Sequence, residues 1–182
     1  RYFLSSQGKK EVAYLKSKTG KRLQPPIVAV AIVVKRGNKY LMQQRTQEPF
    51  FGYCGFPSSK LGCEQYIYEC AATTLEEETG LHCDLQLRGL FSSKTFASDQ
   101  MLYNHQLFVL VGTSPMGEFR ASSEKGDNVW LTKSQLKQEN ILPNILSLIG
   151  IAEGKTFTWM EADRFEENNI VKSMKVKRKE TF

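Results

Sequence analysis

PSSKLGCEQYIYECAATTLEEETGL, residues 57–81, is the stretch on which the fold turns. It is a loop running into one helix, and the helix ends in three glutamates, Glu76 to Glu78, shortly before Gly80. With Ile67 at the centre of a helical face and 3.6 residues per turn, Cys70, Ala71, Thr74 and Leu75 fall on or beside that face. Glu78 falls there too. Glu76 points away, and Glu77 lies at the edge, one turn after Thr73. Gly80 suits the left-handed position that stops a helix.

Glu78 is the informative residue. A carboxylate on the apolar side of a helix is costly unless it is paired or binds a cation. With Glu77 beside it, the helix offers two oxygen ligands at neighbouring angles. That suits a hard, hydrated ion such as Mg²⁺, which commonly takes one or two carboxylates together with substrate phosphates. The alternative is a solvated helix end.

The stretch resembles the signature of the Nudix hydrolase family, G-x5-E-x7-R-E-U-x-E-E-x-G-U with U apolar. The alignment needs no gap. Leu75 takes the apolar place, Glu77 and Glu78 the glutamate pair, Gly80 the glycine and Leu81 the last apolar position. Gly55-Phe56-Pro57 looks like the family's approach strand, and Lys60 matches a lysine common after the glycines. Trp130-Leu131, followed by Ser134-Gln135-Leu136, is similar to its late strand and helix. The likeness covers roughly residues 27 to 150 and implies an α/β fold: an α/β/α sandwich with a mixed β-sheet, the box helix on one face and the C-terminal helices on the other.

The box departs from the pattern at four places. Ser59 replaces the first glycine, Gln65 the first glutamate, Thr73 the arginine and Thr74 the glutamate that follows it. The resemblance assigns metal binding to that last glutamate and the Glu-Glu pair, at i, i+3 and i+4 on one helix. This chain retains Glu77 and Glu78 as catalytic and metal-binding candidates, with Glu64 a substitute after a small loop shift. Glu69 is offset around the helix. Arg45 and Lys60 are the candidates for holding substrate phosphates. Family enzymes cleave a nucleoside diphosphate linked to another group, with water attacking phosphorus while Mg²⁺ or Mn²⁺ neutralises the developing charge. By analogy with one oxyanion donor, removal of one charged group costs about 3–4 kcal/mol of transition-state stabilisation. That is about two to three powers of ten in rate.

At 182 residues, 41% hydrophobic and 24% charged, the chain has the composition of a single globular domain with a substantial core. No apolar run reaches membrane-spanning length. Arg1 in place of Met leaves room for an upstream segment and any targeting signal within it. Net charge is +6 and pI about 9.1, a balance that suits nucleic acid or acidic partners as well as an ordinary basic surface. Cys54, Cys63, Cys70 and Cys83 show no C-x-x-C spacing, which argues against zinc and for a reducing, intracellular compartment, cytoplasm or organelle matrix.

The order of elements follows from pattern. Residues 1–26 form an N-terminal extension, with a short strand near Val12–Leu15 or a small hairpin about Thr19-Gly20-Lys21. The Nudix-like domain spans 27–152. Ile27–Val34 is a buried strand, Arg36-Gly37-Asn38 a turn and Lys39–Arg45 the return strand. That strand carries Tyr40, Met42 and Gln44 on one face, Leu41 and Gln43 on the other. The aromatic loop Glu48–Tyr53 either stacks a base or covers the sheet end. Leu85–Phe91 and Gln106–Val111 are strands, with Ser92–Asn104 polar and irregular between them. His105 reads as structural. Gly117–Asn128 is a charged loop, Val129–Leu131 a short strand, Thr132 a helix cap, and Pro143 opens a helix through Ile151. Residues 153–182 form a C-terminal extension whose aromatics fold back, with Lys172, Lys175, Lys177, Arg178 and Lys179 on a mobile basic tail.

Three functions fit. One is a Nudix fold with a degenerate box that binds a nucleotide-like small molecule, RNA or an acidic protein with little hydrolysis. The second is an active Mg²⁺- or Mn²⁺-dependent hydrolase. The third is a structural subunit of a ribonucleoprotein assembly.

Overall fold

The computed structural model describes residues 3–48, 50–167 and 170–182. The apolar run after Pro26 forms β1 (Ile27–Arg36), and a turn with Gly37 at φ 61° leads into β2 (Lys39–Arg45). These strands pair only at their base, Lys35 with Tyr40 and Arg36 with Lys39. Beyond that they part, and the next segment fills the fork. β3 (Cys54–Gly55) pairs with β2, and β4 (Ser58–Lys60) pairs with β1. The fork therefore carries Arg45, Ser58, Ser59 and Lys60 at one place on the sheet.

α2 (Ile67–Thr79) follows; the shorter α1 (Ser6–Val12) precedes β1. Then come β5 (Leu81–His82), the long strands β6 (Leu85–Ala97) and β7 (Gln100–Thr113), β8 (Met116–Gly117), β9 (Ser122–Ser123) and β10 (Gly126–Thr132). The chain closes with α3 (Lys133–Leu136), α4 (Ile145–Glu153), β11 (Thr158–Glu167) and β12 (Ile170–Thr181). Ten strands share one mixed sheet, ordered β12-β11-β6-β7-β1-β2-β10-β9, with β3 and β4 in the fork. β1 runs parallel to β7, and β11 parallel to β6.

Alternation along the central strands divides the core in two. Val30, Ile32, Val34, Leu41 and Leu110 pack against Cys70, Ala71 and Leu75 of α2. Ala31, Val33, Met42, Phe91 and Val109 pack against Ile145, Leu148 and Ile151 of α4. The result is the α/β/α sandwich, with α2 on one face and α4 on the other. α2 stops at Gly80, φ 71°, where an added Cβ would lie 2.0 Å from the Glu118 carbonyl oxygen. No helix among the described residues is long and apolar enough to cross a membrane.

Three expectations need correction. The N-terminal segment near Val12 is helical rather than extended: Ser5 accepts the Gly8 N–H at 3.1 Å as a cap, and good helix formers follow. The alternative, a small hairpin, is present: Leu15 bridges Arg22 antiparallel, the Lys16 N–H donates to the Lys21 carbonyl at 2.8 Å, and Gly20 at φ 63° makes the turn. Residues 92–104 are not irregular, because β6 and β7 pair through them to a turn at Ser98. Their inward positions are small and polar, Ser93 and Thr95, so the alternation is hidden. The basic end is not a mobile tail; it forms β12, paired along β11. Its lysines lie on an outer strand, where such charges discourage edge-to-edge pairing. Of the aromatic loop, Pro49 lies outside the described residues.

Since Met160 and Ala162 of β11 are buried against the α4 face, the hairpin belongs to the core. Ala162→Asp is expected to lower urea-unfolding stability by at least about 3 kcal/mol, as a buried unpaired charge should. Lys177→Gln, which removes only a surface pairing with Asp163 at 3.6 Å, should change it by less than about 0.5 kcal/mol.

Candidate functional site

The end of α2 is pinned to the sheet by side chains of two other strands. Glu78, 5% exposed, accepts a hydrogen bond from Gln43 Nε2 of β2 at 3.1 Å. Its other carboxylate oxygen takes the Lys125 ammonium. The Glu78 carbonyl oxygen accepts from Asn128 Nδ2 of β10 at 2.7 Å, and Asn128 Oδ1 accepts from Gln43 at 3.3 Å. Gln43 and Asn128 face each other in register, so strand pairing itself builds this cradle. Both oxygens of the buried carboxylate are satisfied within the protein.

The other candidates around it do not converge. Glu77 is exposed, and Glu64 is exposed in the loop before α2. Thr74 is buried one turn before Glu78. Glu69 accepts the Tyr66 N–H at 3.1 Å and caps the helix start. Gln65 accepts the Gly62 N–H at 3.2 Å. Among the described residues no three His, Cys, Asp or Glu side chains group so as to hold a metal ion.

Arg45 and Lys60, by contrast, do come together. They line a cavity of about 490 Å³ on the α4 face of the sheet, beside the fork. Lys125 and Arg164 are its other cations, and none of the described lining residues is acidic. Of the four, only Lys125 forms an ion pair among the described residues. The Arg45 Nε–H is buried with no hydrogen-bond partner among the described residues. Phe50, Phe56, Phe91, Leu142 and Leu148 supply an apolar wall. Asn144, 8% exposed, has an Oδ1 with no hydrogen-bond donor among the described residues. His105 sits in the lining, and burial first, then Arg164 and Lys60, push its pKa down to about 4. The imidazole is therefore neutral near pH 7. Such a cavity is suited to an organic anion with a hydrogen-bond donor.

A smaller recess of about 340 Å³ lies between Lys35, Tyr40 and Lys133. Its one carboxylate, Glu153, is already held by Lys133 at 2.6 Å and by the Tyr40 hydroxyl.

The family model for the NUDIX domain matches residues 25–148. The chain belongs to the Nudix family. A curated relative, ADP-ribose pyrophosphatase of Methanocaldococcus jannaschii, is 33% identical over 69 residues, 37% of this chain and 41% of that protein. The match thus spans less than half of the relative's length. The MutT protein of Bacillus halodurans superposes with a TM-score of 0.70 at 18% identity, covering 83% of this chain and 97% of that one. The NUDIX domain of Shewanella oneidensis NrtR, solved with ADP ribose, gives 0.62 at 16% identity, covering 82% and 97%. A bifunctional NMN adenylyltransferase/ADP ribose pyrophosphatase from Francisella tularensis, solved with AMP and a Mn ion, gives 0.57 at 18%, covering 79% and 45%. At these identities the solved structures speak for the fold.

Sequence reasoning missed Lys125, Asn144 and Arg164 and gave His105 a structural role. Lys125 and Asn144 lie in irregular chain and carry no periodic signal. Arg164 does: Met160, Ala162 and Arg164 share one parity in an alternating segment.

Two measurements follow from this geometry. A double-mutant cycle of Glu78→Gln and Lys125→Met should give a coupling of about 0.5–1 kcal/mol, because Lys125 is 45% exposed and water screens the pair. His105 folds with a pKa below its unfolded value of 6.5. Its contribution is full above that value and is lost as pH falls toward the folded pKa. Melting temperature should therefore drop between pH 6.5 and about 4, and His105→Gln should flatten that segment of the profile.

Proposed function

We propose that this chain is a Nudix domain that binds a nucleotide-like small molecule in the basic cavity and hydrolyses it slowly or not at all. The observation that carries the reading is the pairing of Glu78 with Lys125 and Gln43. The carboxylate best placed to receive a divalent cation already holds an ammonium group. A divalent ion brought to Glu78 would displace Lys125 or sit against it, and like charges in contact repel strongly in a partly desolvated site. Thr74 contributes a neutral hydroxyl where the family pattern has a third carboxylate. The residues present therefore do not fit a three-carboxylate Mg²⁺ or Mn²⁺ site.

Binding needs no metal. Arg45, Lys60 and Lys125 present positive charge to phosphate oxygens from three separate segments. Phe50, Phe56 and Phe91 offer apolar surface to a base or sugar face, and Asn144 Oδ1 can accept from a ligand hydroxyl or amine. The ADP-ribose pyrophosphatase relative and the NrtR domain solved with ADP ribose support a ligand of this class. The same relative favours the second reading, an active pyrophosphohydrolase that recruits Glu77 and Glu64.

The test is calorimetric binding of ADP-ribose in EDTA, paired with turnover assays in Mg²⁺ and Mn²⁺ on nucleoside diphosphate compounds. Binding without metal, weakened by Lys125→Met, is expected. Turnover should lie about two to three powers of ten or more below that of an intact box, and Thr73→Arg with Thr74→Glu should raise it. Brisk metal-dependent turnover abolished by Glu78→Gln would overturn the proposal.

A further inference from the structure

Arg164 lies on β11, outside residues 25–148 that match the family model. Its strand runs parallel to β6, and the register sets Arg164 against Thr95. Alternation continues inward through Met160 and Ala162, both buried, and delivers the guanidinium to the cavity. Arg164 Nε donates to Thr95 Oγ1 at 3.0 Å, and its Nη2 meets His105 Nδ1 at 3.1 Å. Both partners are neutral. Burial pushes the Arg164 pKa down; Glu166 pushes it the other way but makes no ion pair with it.

A half-buried guanidinium with no ion pair among the described residues is costly, and a purely structural role would be served as well by an apolar side chain. Two of its five N–H groups are used by Thr95 and His105, which fix the plane of the fork. The rest have no partner among the described residues and can serve a planar or tetrahedral anion. The strand order places β4 with Lys60 on one side of His105 and β11 with Arg164 on the other. Positive charge thus stands at two ends of one cavity, with a neutral imidazole between.

We infer that Arg164 is a ligand-binding residue, supplied by the C-terminal hairpin, that receives a second anionic group of the ligand, a carboxylate or a phosphate, at the end of the cavity away from Lys60. It rests on reading the cavity as the ligand site, but not on the ligand being a nucleotide. Thr95 and His105 are positioning residues for its fork.

Inorganic pyrophosphate is the probe, in EDTA, with affinity measured by calorimetry and melting temperature measured without the probe, on the full chain and on Arg164→Met, Arg164→Lys and Lys60→Met. Arg164→Met should bind pyrophosphate at least about tenfold more weakly, while melting unchanged or higher, since a half-buried charge without an ion pair has gone. Arg164→Lys should retain part of the affinity. His105 imidazole NMR signals should shift on titration in the wild type and not in Arg164→Met. Equal affinity in wild type and Arg164→Met would overturn the inference and leave the nucleotide-binding proposal standing. A melting temperature several degrees lower in Arg164→Met would mark Arg164 as a structural residue and also overturn it, as would failure of the wild type to bind pyrophosphate. Pyrophosphate binding that depends on Arg164, with no affinity for ADP-ribose, would support it while sinking the nucleotide reading.

Discussion

The buried Glu78 carboxylate, which Gln43 and the Lys125 ammonium satisfy together, is the constraint around which this site is arranged. A negative charge at 5% exposure on the sheet-facing side of α2 must be neutralised. The chain does so with its own cation and with a carboxamide from β2, and a second carboxamide from β10 ties down the helix backbone. The helix end, two paired strands and the loop carrying Lys125 are thereby one unit. Lys125 belongs equally to the cavity lining, so the group that neutralises α2 is also part of the cavity wall, where Arg45, Lys60 and Arg164 carry the charge left without an ion pair among the described residues.

The cavity itself follows from the parting of β1 and β2. Once those strands diverge beyond Lys35 and Tyr40, the 54–60 segment can wedge between them and bring Lys60 beside Arg45. The long β6–β7 hairpin extends the floor with His105, and β11 extends it with Arg164. Positive charge accumulates without acids among the described lining residues. Charge of this kind destabilises a free protein, and a bound anion would offset that cost.

Much of the architecture was legible from the amino-acid pattern. The buried run at Ile27–Val34, the face of α2 and the stop at Gly80 each carry a strong local signal, and the structure agrees with all three. Glu78 was legible as a carboxylate needing a partner, but the partner was not. Lys125 lies 47 residues away, and nothing local marks it. The distal half of the β6–β7 hairpin was hidden because Ser93 and Thr95 occupy inward positions that apolar residues usually hold. The C-terminal hairpin was hidden because Lys-rich outer strands and solvated tails have nearly the same composition. Arg164 was lost with it.

On the proposed reading, the tethered Lys125 ammonium stands where a divalent cation would otherwise be gripped. Electron paramagnetic resonance of Mn²⁺ tests it most directly, because the free aquo ion gives a strong signal that fades on binding. With one equivalent of Mn²⁺ and no other ligand, the signal should match that of buffer alone. A signal lost at one equivalent in the wild type, and restored in Glu78→Gln, would contradict it.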